Sequence, residues 1–238
     1  MTGSVGMEDG AQNQARDRGG LHGRASLGEE IYEVMLTQLI TLKIPPGERL
    51  SIDALVREFG VSQTPIRAAL IRLEAEGLVV RKHNSGYSAA SIPNGHRFGE
   101  IYDFRLILEP AAAAKATGRL TPAQQAELID TSAEMNRLVG DGSEVTYGRF
   151  AVLDARFHQL IAQACGNQLV IEALDRLYAH MHLFRLRFHS TVTEEAVVEH
   201  KLVVDAMLAG HEAAAAAAMR RHIESSRQRM EPFYRTLA

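Results

Sequence analysis

The chain is expected to be mainly α-helical: an N-terminal winged helix-turn-helix followed by a C-terminal all-α bundle of about six helices. Three observations lead to that class. Residues 51–78 read as helix, tight turn, helix. Residues 78–91 hold two short β-prone runs around turn chemistry. Beyond Pro93-Asn-Gly95 the apolar residues recur at helical spacing, and caps punctuate the chain almost to its end.

Residues 1–25 are rich in Gly, Gln, Asp and Arg and lack an apolar run, which predicts a disordered tail. Ser26-Leu-Gly-Glu29 is a capping box, with serine at the cap and glutamate three residues on. The helix it opens should send Ile31, Val34, Met35, Leu39 and Ile40 toward a core, and Lys43-Ile-Pro-Pro-Gly47 should stop it. Ser51 can cap the next helix, whose inner face is Ile52, Leu55, Val56 and Phe59. Gly60 stands where a left-handed residue ends a helix. Val61 then tucks in, Thr64 caps the second helix, and Pro65 takes its first position. Ile66, Ala69, Leu70 and Leu73 should face inward, leaving Gln63, Thr64, Arg67 and Arg72 outside. Gly77 ends this helix. Leu78–Lys82 and Tyr87–Ser91 are the strand candidates, with His83-Asn-Ser-Gly86 as the turn. Arg81, Lys82 and His83 place positive charge near its tip, and Arg49 lies where it could meet a phosphate. A polar, cationic helix start beside a basic hairpin suggests a helix that reads the DNA major groove; an ordinary helical hairpin with a solvated face would share the apolar pattern.

A linker at 93–96 separates this domain, 26–92, from a helical one at 97–232. Ile101, Phe104, Leu108, Ala111 and Ala112 mark a helix ending at Gly118. Thr121-Pro-Ala-Gln124 caps a second, which runs through Leu138. Ser143 opens a third, which reaches Cys165 and stops at Gly166-Asn167. Gln168 to about His189 forms a fourth, and Thr193 caps a fifth that ends at Ala209-Gly210. The last spans His211 to about Met230, and its alanine run favours helix and close packing.

Composition narrows the class. Charged residues at 23% and hydrophobic ones at 46% describe an ordinary soluble protein. The formal net charge of −3 means that any nucleic-acid surface must be a local patch. The single cysteine, Cys165, cannot form an internal disulfide, which suits a reducing compartment. With no run long enough to span a bilayer and no secretory leader, a cytoplasmic location and no membrane partner are expected.

Pro46-Gly-Glu-Arg-Leu50, Gly60-Val-Ser-Gln-Thr-Pro-Ile-Arg67 and Leu73-Glu-Ala-Glu-Gly-Leu78 together resemble the winged-helix domain of the GntR family of bacterial transcriptional regulators. The likeness covers roughly 26–91. It implies a homodimer on a roughly palindromic double-stranded DNA operator, contacted through Arg49, Ser62, Gln63, Thr64, Arg67, Arg72, Lys82, His83, Asn84 and Gly86. Arg67 and Gln63 would read bases while Thr64, Arg49 and the wing hold phosphates. The chain departs from the family pattern at Gln63 and near Asp53, where related proteins often carry arginine.

Asp154 and His158 stand one helical turn apart, with His200 and His222 on later helices. Carboxylate and imidazole from several helices can converge on a divalent metal inside a bundle. Taken alone, that spacing is more often a surface pair, and ten histidines offer rivals such as His180 and His182, which point too far apart to chelate together. Asp154-Ala-Arg-Phe-His158, Cys165-Gly-Asn167, Glu199-His200 and Arg221-His222 resemble the FCD ligand-binding domain of the FadR-like branch, in its shorter, VanR-like form. The resemblance implies that Asp154, His158, His200 and His222 hold zinc, nickel or a similar ion, and that a small organic acid completes its coordination. Arg105 is then the candidate effector anchor, with an i, i+4 pair to Glu109 as the rival role. Asn167 could cap the helix before it or border the pocket; Tyr102, Arg149 and Arg187 are weaker pocket candidates.

The expected function is a ligand-responsive transcriptional regulator, in the family's usual sense a repressor released by its effector, and not an enzyme. Two other readings share these residues: a DNA-binding regulator whose metal is purely structural or itself sensed, and a metal-dependent hydrolase, which would need a general base beside the ligands.

Overall fold

The first helix, α1 (Leu27–Ile40), turns Ile31, Tyr32, Met35, Leu36, Leu39 and Ile40 into the core, none more than 2% exposed. The computed structural model describes residues 27–82, 86–177 and 192–235. The expected cap Ser26 and the tail therefore lie outside the described residues. Val34, expected inside, is 44% exposed. At 100° per residue it falls on the far side of a stripe centred near Leu39, and Tyr32 and Leu36 take the inward places.

α2 (Ile52–Phe59) begins as expected: Ser51 Oγ accepts the Ala54 N–H at 3.4 Å. It ends at Gly60, whose φ of 66° is the left-handed conformation that a Cβ would strain. α3 (Gln63–Ala75) starts earlier than Thr64. Ser62 is its N-cap residue, making no side-chain cap bond, so Thr64 and Pro65 sit within the first turn. Proline is tolerated there because first-turn N–H groups have no helical acceptor. Ile66, Ala69, Leu70 and Leu73 are buried as expected.

β2 (Val79–Lys82) and β3 (Gly86–Ala89) form the hairpin, with Val80 opposite Ser88 and Lys82 opposite Gly86. A third strand, β1 (Arg49–Leu50), pairs antiparallel with β3, Arg49 opposite Ser88. Sheet order is β1-β3-β2. Two residues are too few to show alternation, so the sequence gives β1 no periodic signal.

Six helices follow among the described residues: α4 (Gly95–Ala116), α5 (Pro122–Leu138), α6 (Glu144–Ala164), α7 (Gln168–Asp175), α8 (Val192–Leu208) and α9 (Glu212–Tyr234). Asn94 accepts the Arg97 N–H at 2.9 Å, so the helix begins inside the expected linker. Thr121 and Gln124 form the expected capping box, and Ser143 caps α6. Asn167 caps the helix after it, accepting from the Leu169 N–H at 3.1 Å, rather than the one before. Thr193 lies within α8 and does not precede it. The expected fourth helix ends early, at Asp175, with Arg176 as its C-cap and residues 176–177 in a turn; 178–191 lie outside the described residues. α9 runs past Met230 to Tyr234, which stacks on Phe98 at the start of α4.

α4 is rotated from expectation. It buries Phe98, Ile101, Tyr102, Arg105, Glu109, Ala112, Ala113 and Ala116. Phe104 and Leu108 are only half-buried, Ala111 is exposed, and Ile107 is 71% exposed. The inner face is thus turned by about a quarter-turn from the apolar stripe, spending two of its places on a charged pair. α4 packs against α6 and α9, and α1 packs against both α3 and α6. A Cβ on Gly148 of α6 would meet Leu36 and Thr37 of α1 at ordinary contact distance, so the N-terminal domain rests directly on the helix that carries Asp154 and His158. Leu39→Ala should lower unfolding free energy by about 2–5 kcal/mol, read as a lower urea midpoint at unchanged m-value.

Candidate metal centre and nucleic-acid interface

The bundle brings together all four expected ligands. α6 carries Asp154 and His158, α8 carries His200 and α9 carries His222; all are buried. One ligand atom from each lies within 4.8 Å of the others. An ion with bonds of about 2.1 Å needs ligand atoms roughly 3 to 4.2 Å apart, so the cluster is near the required size. His200 Nε2 stands 3.3 Å from Asp154 Oδ1, and His158 Nε2 faces His222 Nε2 at 3.2 Å. Phe157 closes the apolar side, its ring 4.4 Å from that of His200.

Two carboxylates stand behind two of the rings. Glu109 Oε2 lies 2.5 Å from His158 Nδ1, and Glu199 Oε2 lies 2.9 Å from His222 Nδ1. A carboxylate only accepts, so His222 Nδ1 carries the hydrogen and donates it to Glu199, whereas the contact of Glu109 with His158 is an ion-pair distance without hydrogen-bond alignment. With its hydrogen on Nδ1, neutral His222 turns a bare Nε2 lone pair toward His158 Nε2, the side on which an ion would be bound. Burial pushes the His222 imidazole below its ordinary pKa, against the raising effect of Glu199. Burial would raise the Glu199 carboxyl, but the Arg229 guanidinium and His222 bonded to it hold it below the usual carboxylate range. A neutral imidazole beside an ionised outer carboxylate is the donor state a divalent ion requires. The residues fit such an ion.

Behind each carboxylate stands an arginine. Arg105 Nε donates to Glu109 Oε1 at 2.6 Å, and Arg229 donates to both oxygens of Glu199 at 2.6 and 2.8 Å. Arg105 thus makes the pair offered as the rival to its role as effector anchor. The pair is wholly buried, beyond an ordinary surface i, i+4 contact, and it continues to His158. Sequence reasoning missed Glu109 and Glu199 as outer partners. Glu109 is visible in sequence only as a neighbour of Arg105, and Glu199 only as a neighbour of His200, whereas its bonded partner is His222. Of the weaker candidates, Tyr102 is buried with its hydroxyl 2.8 Å from Ser226 Oγ, Arg149 pairs with Glu134, and Arg187 lies outside the described residues.

The second candidate surface is a cleft of about 760 Å³ between α3 and the sheet. Arg49, Gln63, Arg67, Lys82 and Gly86 line it, joined by Arg81, Asp53 and Glu74. Ser62 and Thr64 are exposed at the start of α3, while His83 and Asn84 lie outside the described residues. Arg72 is not in the cleft. Its guanidinium sits 3.5 Å over the Tyr32 ring and bonds Glu29 and Glu76, pinning α3 to α1. Position 72 is five residues beyond Arg67, and five steps of 100° carry it away from that face.

The fold and the two sites define a class: a winged-helix regulator with an all-helical ligand-binding domain. The family models agree, with the gntR family of bacterial regulatory proteins matching residues 27–88 and the FCD domain matching residues 100–225. The chain belongs to the GntR family of regulators that carry an FCD domain. It is 29% identical over 198 residues to an HTH-type transcriptional regulator in an unstable DNA locus of Streptomyces ambofaciens, covering 82% of this chain and 81% of that one. The HTH-type transcriptional repressor GlaR of Escherichia coli is 25% identical over 199 residues, covering 81% of this chain and 90% of GlaR. LutR of Bacillus subtilis is 29% identical over 203 residues, covering 76% and 90%. Among solved structures, E. coli McbR/YncC aligns with a TM-score of 0.63 at 20% identity, covering 89% of this chain and all of that one; at that identity the likeness is of fold.

Two outcomes follow. Glu199→Ala should weaken divalent-metal binding by about 10- to 100-fold, measured by competition with a chromophoric chelator. Arg67→Ala should weaken DNA binding about ten-fold or more, whereas Arg72→Ala should lower the melting temperature and leave DNA affinity within about two-fold, measured by fluorescence anisotropy and calorimetry.

Proposed function

We propose that the chain is a homodimeric, metal-centred repressor that holds a roughly palindromic operator and lets go when a small carboxylate enters the helical domain. Such a protein would work in the cytoplasm, where its operator lies. Asp154, His158, His200 and His222 hold a divalent ion, of the zinc or nickel kind, and leave positions open on an octahedral ion.

The observation that carries the effector reading is Arg105. Burying a guanidinium costs several kcal/mol, and this one is buried beside the cluster with its Nε on Glu109. A carboxylate fits that fork. The ligand acts by binding the DNA-free arrangement more tightly than the DNA-bound one. The contact of α1 on α6 gives that preference a path to the DNA-binding domain.

The test is the melting temperature of metal-loaded protein against a panel of organic acids. At least one acid should raise it, and that shift should vanish in His200→Ala and in Arg105→Ala. If no acid shifts the metal-loaded protein, the ion is structural; if the shift survives His200→Ala unchanged, the pocket lies elsewhere.

A further inference from the structure

Three side chains in the DNA-facing cleft form a chain of hydrogen bonds. Gln63 Nε2 donates to Asp53 Oδ1 at 3.1 Å, and Arg67 Nη2 donates to Gln63 Oε1 at 3.1 Å. Asp53 comes from the first turn of α2, and the other two come from the first turns of α3. All three are exposed and line the cleft. A carboxylate on a surface that approaches phosphates is repelled by them, so Asp53 weakens non-specific affinity where it stands. Its partner shows what it does instead.

A carboxylate only accepts and a guanidinium only donates, so the Gln63 amide is held one way round, nitrogen to Asp53 and oxygen to Arg67. An amide has two N–H donors and two oxygen lone pairs. The clamp uses one of each, leaving one donor and one acceptor side by side. That remaining pair complements the N7 acceptor and N6 amino donor of adenine in the major groove. Guanine offers two acceptors, N7 and O6, and would set O6 against the amide oxygen. Arg67 keeps donors for a guanine, and four residues of helix rise of about 1.5 Å place it about two base pairs away.

We propose that Asp53 is a specificity-determining residue: by clamping Gln63 between itself and Arg67, it makes each half-site require an adenine within about two base pairs of a guanine. This rests on the assignment of α3 as the DNA-reading helix. Asp53 touches no base; it is a positioning residue whose effect appears in sequence preference.

The test is selection of binding sites from random duplex DNA by the full-length protein, followed by affinities for the selected site with each base substituted. The wild type should prefer adenine at one position per half-site by about ten-fold or more, and Gln63→Ala should lose that preference. Asp53→Ala should also lose it while keeping the guanine preference. Asp53→Asn, which retains an acceptor oxygen, should keep both. An unchanged circular dichroism melt in Asp53→Ala would separate loss of clamping from loss of fold. If Asp53→Ala selects the same adenine as the wild type, the clamp is overturned and the DNA-reading helix stands. If the wild type enriches no sequence, the DNA-reading assignment falls and the clamp with it.

Discussion

Two buried imidazole nitrogens 3.2 Å apart, each ring backed by a carboxylate on its far side, are the constraint around which the helical domain is built. Four helices contribute to it: α6 and α9 bring the rings, α4 brings Glu109 behind one, and α8 brings Glu199 behind the other. A bundle of this size gains stability from apolar burial. Here Arg105, Glu109, Asp154, His158, His200 and His222 occupy the interior instead. Replacing buried ionic groups with apolar side chains of similar volume is often neutral or stabilising. So much polarity at one point is therefore the mark of a site kept for binding.

That core is continuous with the N-terminal domain. α1 faces α3 on one side and α6 on the other. The Arg72 guanidinium over Tyr32, held by Glu29 and Glu76, ties α3 to α1. Lys43, three residues beyond α1, pairs with Glu144 at the start of α6. α1 is thus the shared wall between α3 and the helix bearing Asp154 and His158. α6 and α3 are thus joined through packed side chains of α1.

Much of this was legible in the residues. The turn at Gly60, the inward set Ile66–Leu73 and the caps at Thr121 and Ser143 follow from local rules that tertiary packing did not override. The ligand quartet came from a resemblance, because residues 154 and 222 are brought together only by the packing of α6 on the other helices. What failed did so for identifiable reasons. The apolar stripe of α4 suggested Phe104, Leu108 and Ala111 as the buried side, but periodicity registers hydrophobicity, and the inner face there carries Arg105 and Glu109. Arg72 was grouped with Arg67 because both are cationic on one helix, although five residues of separation turn it toward α1. The outer carboxylates were invisible because a partner for His222 on a different helix leaves no trace in sequence spacing.

The most direct measurement is an anomalous-difference map from crystals of the purified protein, recorded above and below the absorption edge of the metal found by elemental analysis. One peak is expected about 2.0–2.2 Å from a carboxylate oxygen of Asp154 and from Nε2 of His158, His200 and His222. No peak at that point in protein grown with zinc or nickel, or a peak bound by other residues, would contradict the assignment of the centre.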